Sequence, residues 1–210
     1  VMGRSSGWLT AYSAKLYYDK LTEKEKLLIN HDSFSFYNLS RLHIHGIYVP
    51  EESIDFESEI KRLEKIMMDV GCLNIFVSEG AFIKDILDKL ELDSKKIQRD
   101  AFGNIKLDSI NTGKWLSEII SEKIKIDRIL IQKSGYYARS SKPNDDDLNY
   151  IHKVCDFAFK EATLGNSGLA GEDERSGILS CINFNEIKGN KALDTQSNWF
   201  RALTNKINKK

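Results

Sequence analysis

Short apolar runs alternate with helix-period segments along most of this chain, and that alternation restricts the fold more than any other feature. Ile60, Leu63, Ile66, Met67 and Val70 make one face of a helix over 56–70 that stops at Gly71. Leu73 to Val77 then reads as a strand, turning at Ser78, Glu79 and Gly80 into a helix over 82–90. The spacing predicts further helices over 8–21, 113–124, 145–164 and 198–207, and further strands over 42–49, 129–132 and 177–184. Strands and helices in turn imply an α/β domain, a largely parallel sheet flanked by helices. The polar stretch from Asn30 to Ser40 reads as a loop or insertion, and Pro50 and Pro143 mark boundaries rather than kinks.

With 210 residues there is enough chain for one sizeable core. Lys plus Arg and Asp plus Glu each number 31, so no global field draws the chain to nucleic acid or to an anionic membrane, and any basic site is local. No run approaches the roughly 18 apolar residues of a membrane span, and the first residues lack a signal-peptide layout. The expectation is a soluble, cytoplasmic protein without nucleic-acid or membrane partners. Cys72, Cys155 and Cys181 match neither a disulfide framework nor a zinc motif, and read as reduced core residues. The Lys- and Glu-rich stretch from Leu21 to Lys26 reads as a solvated helix end.

Parallel α/β sheets bind ligands at the carboxyl ends of their strands, which singles out three places. The first is Met2, Gly3 and Arg4, where a glycine lets amides approach an anion, the guanidinium forks onto its oxygens, and a helix from Trp8 adds its positive end. A frayed terminus is the plain alternative. Such loops follow a buried strand, yet one apolar residue precedes this one and the chain does not begin with Met, so the natural polypeptide is expected to extend further. The second place runs from Lys133 to Arg139: Gly135 frees the turn, Lys133 and Arg139 supply charge, and a Tyr hydroxyl donates, a set suited to a phosphate monoester or to a solvated turn. The third is Glu79, which either accepts from sugar hydroxyls or caps the following helix.

Other clusters carry less. Asp145, Asp146 and Asp147 suit a hard cation, but Asn144 followed by acids is a usual helix start. His43 and His45 share a strand face without a third ligand nearby, so core or exposed histidines explain them better than a metal. Asp100 to Gly103 contains Asp-x-Phe-Gly with the wrong spacing for a kinase.

Taken together, VMGRSSGWLT (1–10), NIFVSEGA (74–81), DAFGNIKL (100–107), QKSGYYARS (132–140) and GEDE (171–174) resemble the fructose 6-phosphate half of the phosphofructokinases, in the wording of the pyrophosphate-dependent branch. The resemblance covers most of the chain and is weakest over 22–41, a possible insertion. It implies a phosphofructokinase-like, Rossmann-like parallel sheet whose N-terminal domain is missing, with 1–210 as the C-terminal, acceptor-binding portion. It assigns Met2 and Gly3 to the sugar-phosphate wall, Arg4 to the phosphoryl group in flight, and Glu79 to sugar hydroxyls. Tyr136 and Arg139 grip the existing phosphate, with Lys133 as helper. Tyr136 stands where ATP-using members tend to carry His.

The implied reaction moves a phosphoryl group from pyrophosphate, or ATP, to O1 of fructose 6-phosphate, with Mg²⁺ bridging donor oxygens. The family's Gly-rich donor segments and its Thr-Ile-Asp-x-Asp motif are absent from these residues. The chain alone is therefore expected to be inactive, to need a missing N-terminal half, and to form a homo-oligomer when complete. A sugar-phosphate-binding subunit without catalysis is the alternative. A nucleotide-binding module finds no Gly-x-Gly-x-x-Gly or Gly-x-x-x-x-Gly-Lys segment.

Overall fold

The computed structural model describes residues 1–29, 39–92, 110–173, 176–187, 189 and 191–208. The 30–38 part of the predicted loop, the 100–107 motif and residue 174 lie outside them. The chain divides into two units, Val1–Gly135 with Lys191–Lys210, and Tyr136–Asn190.

The first unit is built around a parallel pair, β1 (Gly46–Tyr48) and β2 (Ile75–Val77), in the register Gly46 to Ile75 and Tyr48 to Val77. The connection is α2 (Phe56–Val70). Asp55 caps its start by accepting from the Glu57 N–H, and Gly71 ends it at φ 78°, its N–H donating to the Met67 carbonyl at 2.9 Å, a left-handed cap that glycine adopts without a Cβ penalty. Strand alternation sends Tyr48 to one face and Ile47 to the other. Tyr48 joins Leu63, Phe82, Ile86, Leu116 and Ile120 beneath α2, α3 (Ile83–Leu92) and α4 (Thr112–Lys123). Ile47 joins Ala11, Ala14, Phe200, Leu203 and Ile207 beneath α1 (Trp8–Ile29) and the last helix, α7 (Asn198–Asn208). Helices thus cover both faces, as an α/β layer structure requires.

The second unit holds α6 (Asp145–Thr163) and an antiparallel hairpin, β3 (Leu169–Glu172) with β4 (Leu179–Ile182). Asn144 and Asp147 form a capping box at the start of α6, so the acidic triplet serves the helix end. A short helix, α5 (Gly135–Ser140), begins at the boundary between the units.

Several expectations change. Among the described residues the strands form two separate pairs, one parallel and one antiparallel, rather than a largely parallel sheet. Residues 129–132 form no strand. The loop over 133–139 is partly helical, and Gly135 lies within α5 rather than opening a turn. The first helix runs to Ile29 instead of ending at 21, and Glu25, on its supposedly plain solvated end, pairs with His43 Nε2 at 2.7 Å. His45 is buried, its Nδ1 accepting from the Asn74 N–H at 2.9 Å. The cysteines are free but not core: Cys155 is exposed and the other two half-buried.

Within the first unit, Tyr48, Glu59 and Arg62 form a part-buried network. The Arg62 guanidinium forks onto Glu59 at 2.6 and 2.8 Å, and the Tyr48 hydroxyl donates to Glu59 Oε1 at 2.6 Å. Burial pushes the Glu59 carboxyl up, but hydrogen bonds from Arg62 and Tyr48, with the Arg62 charge, outweigh it and hold the group below its ordinary value. A depressed carboxylate contributes its stability above the unfolded-state pKa and loses it as the pH falls through the folded one. Tm is therefore expected to fall more steeply between about pH 5 and pH 3 in the native chain than in Glu59→Gln. Parallel melting curves would show that the carboxylate is uncoupled from folding.

Candidate functional site

The carboxyl end of β2 is where the candidate residues meet. Val1 lies beside it in parallel fashion, donating to the Val77 carbonyl at 2.7 Å and accepting from the Glu79 N–H at 2.8 Å. The next residues fold over the turn after β2. The Gly3 carbonyl accepts from the Ser78 hydroxyl at 2.8 Å and from the Gly80 N–H at 2.9 Å. Gly3 has φ 142°, and a Cβ there would stand 2.5 Å from the Ser6 carbonyl oxygen, so only glycine fits. On the far side, the Thr112 hydroxyl at the start of α4 donates to the Glu79 carbonyl at 2.7 Å. Phe82 follows the turn at φ 60°, a costly conformation for an aromatic residue, and is held by rings of Tyr48, Phe56 and Trp115 within 5.6 Å.

Next to this turn is a pocket of about 120 Å³. Met2, Glu79 and Lys133 line it from three separate segments, together with Asn111, Gln132 and Ser134. The Ser134 hydroxyl is buried there without a partner among the described residues, a donor and acceptor available to a polar guest. Glu79 is half-buried, and no hydrogen bond joins its carboxylate to the first turn of α3, which leaves the helix-cap explanation without support among the described residues. Lys133 and Arg4 are exposed. Gly135 approaches Met2 closely: an added Cβ would meet its sulfur at 3.2 Å.

The rest of the predicted set is placed differently. Arg4 and Gly3 belong to the loop over the turn rather than to the pocket lining. Tyr136 and Arg139 belong to the second unit, three positions apart on α5, and Arg139 is exposed. The start of α1 was expected to help hold an anion, but the Gly7 N–H is taken by the Glu51 carboxylate at 2.9 and 3.0 Å, which also accepts from the Leu193 N–H at 2.7 Å. Sequence reasoning missed this intramolecular cap and the Thr112 contact. Neither has a local signature, because Glu51 and Thr112 act on residues remote in the chain. Among the described residues no three His, Cys, Asp or Glu side chains group as metal ligands. No described helix is long and apolar enough to cross a membrane.

No protein-family model matches the chain. Individual relatives do. The chain is 40% identical over 211 aligned positions to the pyrophosphate–fructose 6-phosphate 1-phosphotransferase of Methylomonas methanica, covering 99% of its own length. It is 43% identical over 203 positions to the enzyme of that name from Methylotuvimicrobium alcaliphilum. By sequence, this chain is a relative of the pyrophosphate-dependent phosphofructokinases. The enzyme of the same name from Mastigamoeba balamuthi is 41% identical over 209 positions. The chain spans about half the length of these curated relatives, at 50%, 48% and 50%. The recognition drawn from the loop motifs is thus matched by similarity along nearly the whole chain, including segments that no motif touched.

Proposed function

We propose that this chain is the acceptor side of a pyrophosphate-dependent phosphofructokinase site, holding fructose 6-phosphate while the donor side is carried by the half of the relatives that it does not span. The observation that carries this reading is the pocket after β2, which gathers Met2, Glu79 and Lys133 where an α/β layer structure binds its ligands. In this reading the Glu79 carboxylate and the Ser134 hydroxyl take sugar hydroxyls, Met2 forms the wall behind the sugar while Gly3 ties its loop to the turn, and Lys133 draws the anionic guest. Arg139 and Tyr136 grip the 6-phosphate, a fork and a hydroxyl suited to a monoester. Arg4 spreads the charge that develops on the phosphoryl group as it passes to O1.

Pyrophosphate is the donor that the relatives' names support, and glycolysis in the cytoplasm is the setting such a transfer fits. In this reading Mg²⁺ would be held mainly by the donor and by the half of the relatives that the chain does not span; among the described residues no three His, Cys, Asp or Glu side chains group as ligands.

Calorimetry of the chain with fructose 6-phosphate tests the assignment. Binding is expected, weakened about tenfold or more by Lys133→Ala or Arg139→Ala, the order expected for a lost charged hydrogen bond. Unchanged binding in both variants would overturn the assigned site. Phosphoryl transfer is expected only after addition of the other half, taken from the Methylomonas methanica enzyme. Transfer by the isolated chain would overturn the division of labour.

A further inference from the structure

The loop that carries Arg4 is held at both ends. Its entry is tied to the end of β2, where the Gly3 carbonyl accepts from the Ser78 hydroxyl at 2.8 Å and from the Gly80 N–H at 2.9 Å. Its exit is tied to the end of β1. Glu51 follows that strand by three positions, and both of its carboxylate oxygens accept from the Gly7 N–H, at 2.9 and 3.0 Å. Parallel strands end on the same edge of their pair, so the loop spans the carboxyl ends of β1 and β2 with Arg4, Ser5 and Ser6 between the two ties.

The grip at Gly7 is close and specific. Gly7 is buried, and a Cβ there would stand 2.5 Å from Val49 and 2.8 Å from Glu51 Oε2, an approach that only glycine allows. The same carboxylate takes the Leu193 N–H at 2.7 Å, which fixes its direction from the segment ahead of α7. Two N–H groups thus converge on a group that only accepts, which suits a carboxylate better than any neutral side chain. The first turn of α1 holds no acidic residue, so Glu51 also supplies the negative charge that the amino end of that helix favours. Between the ties the chain is tightly folded: Gly3 packs on the Ser6 carbonyl, and Gly80 on that of Arg4.

We propose that Glu51 is a positioning residue for Arg4, fixing through Gly7 the exit of the loop from which the guanidinium reaches the phosphoryl group. The inference rests on the function reading for what Arg4 does; the tie from Glu51 to Gly7 stands apart from it. Glu51 touches no substrate in this role. The Arg4 side chain is exposed, so its aim follows from its backbone, and a backbone tied only at Gly3 is free to swing at its exit. Displacing a reacting group by about 1 Å can cost about 10²-fold in rate, which makes the second tie matter.

Glu51→Gln tests this, since it keeps the shape but turns an NH₂ group toward a backbone N–H, donor against donor. Amide hydrogen exchange at Gly7 is expected to quicken about tenfold or more. In the full chain combined with the other half of the Methylomonas methanica enzyme, kcat is expected to fall about tenfold, with KM for fructose 6-phosphate within about twofold. The double variant decides between positioning and general support. In the Arg4→Ala background Glu51→Gln should lower kcat by no more than about twofold further, because a residue that acts through Arg4 has nothing left to position. Losses that multiply would overturn the proposal and leave the function reading intact. Equal Gly7 exchange in the native chain and Glu51→Gln would overturn it without reference to catalysis. Glu51→Asp keeps the charge on a shorter arm and should fall between the two; it carries the same comparison if the Gln variant does not fold. Full kcat in Arg4→Ala would instead overturn the role that the function reading gives Arg4, so the two fail separately.

Discussion

Replacing Arg4 by alanine in the chain combined with the other half of the Methylomonas methanica enzyme is expected to lower kcat for pyrophosphate-dependent transfer about 10³-fold, the scale of a removed arginine that stabilises transferring phosphoryl charge. The expectation follows from the loop. The Gly3 carbonyl is tied to Ser78 and Gly80, so the backbone that bears Arg4 is fixed to the end of β2 while its guanidinium stays exposed, without a partner among the described residues. A charge held in place but not already neutralised costs little to reorganise when the phosphoryl group moves. KM for fructose 6-phosphate should change by no more than about threefold, since an interaction made mainly in the transition state appears in kcat. Arg4→Lys keeps the charge but loses the fork, and should recover only part of the rate. A variant with kcat intact and a raised KM would make Arg4 a binder of ground-state substrate and remove it from the chemistry.

Gly80→Ala is expected to destabilise the chain by about 3 kcal/mol, the upper end of ordinary overpacking. The added Cβ would stand 1.7 Å from the Arg4 carbonyl oxygen and 3.0 Å from that of Gly3. Both are backbone atoms, so no side-chain rotation relieves the clash. The Gly80 N–H bond to Gly3 at 2.9 Å would break as the loop lifts, and the turn cannot retreat because Thr112 holds the Glu79 carbonyl from behind. Chemical denaturation should report the loss in the midpoint, with the slope unchanged. Fructose 6-phosphate binding should fall with it, because Met2 and Glu79 line the same pocket. A variant as stable as the native chain would mean that the loop is not packed on the turn in solution. Together the two substitutions separate holding the loop from using it.

Part of the pocket lining is legible along the chain. Glu79 follows an apolar run, and a residue after a strand in an α/β chain points to the ligand-binding end; Gly71 ended its helix as its position suggested. Lys133 stands two positions before Gly135 as a local positive charge, and it lines the pocket with Glu79 and Met2. The extent of the sheet could not be read this way. Ile129 to Gln132 has the composition of a strand, but a strand exists only through main-chain pairing with a neighbour, which composition does not supply, and these residues form none. The same blindness to neighbours hid Glu51, which closes the start of α1 through Gly7 and ties it to Leu193.

The sequence by itself determined the alternation of helices and strands, the caps at Asn144 and Gly71, and the loop motifs that resemble a phosphofructokinase, because each depends on residues within a few positions of one another. Only the tertiary structure decided that Val1 to Arg4 lies across the turn after β2, and that Gly80 must lack a side chain for it to do so. Those outcomes depend on contacts between residues far apart in the chain, whose distances follow from packing. The Met2, Gly3 and Arg4 loop shows both: its residue types carry the resemblance, and its bonds to Ser78 and Gly80 state where it stands.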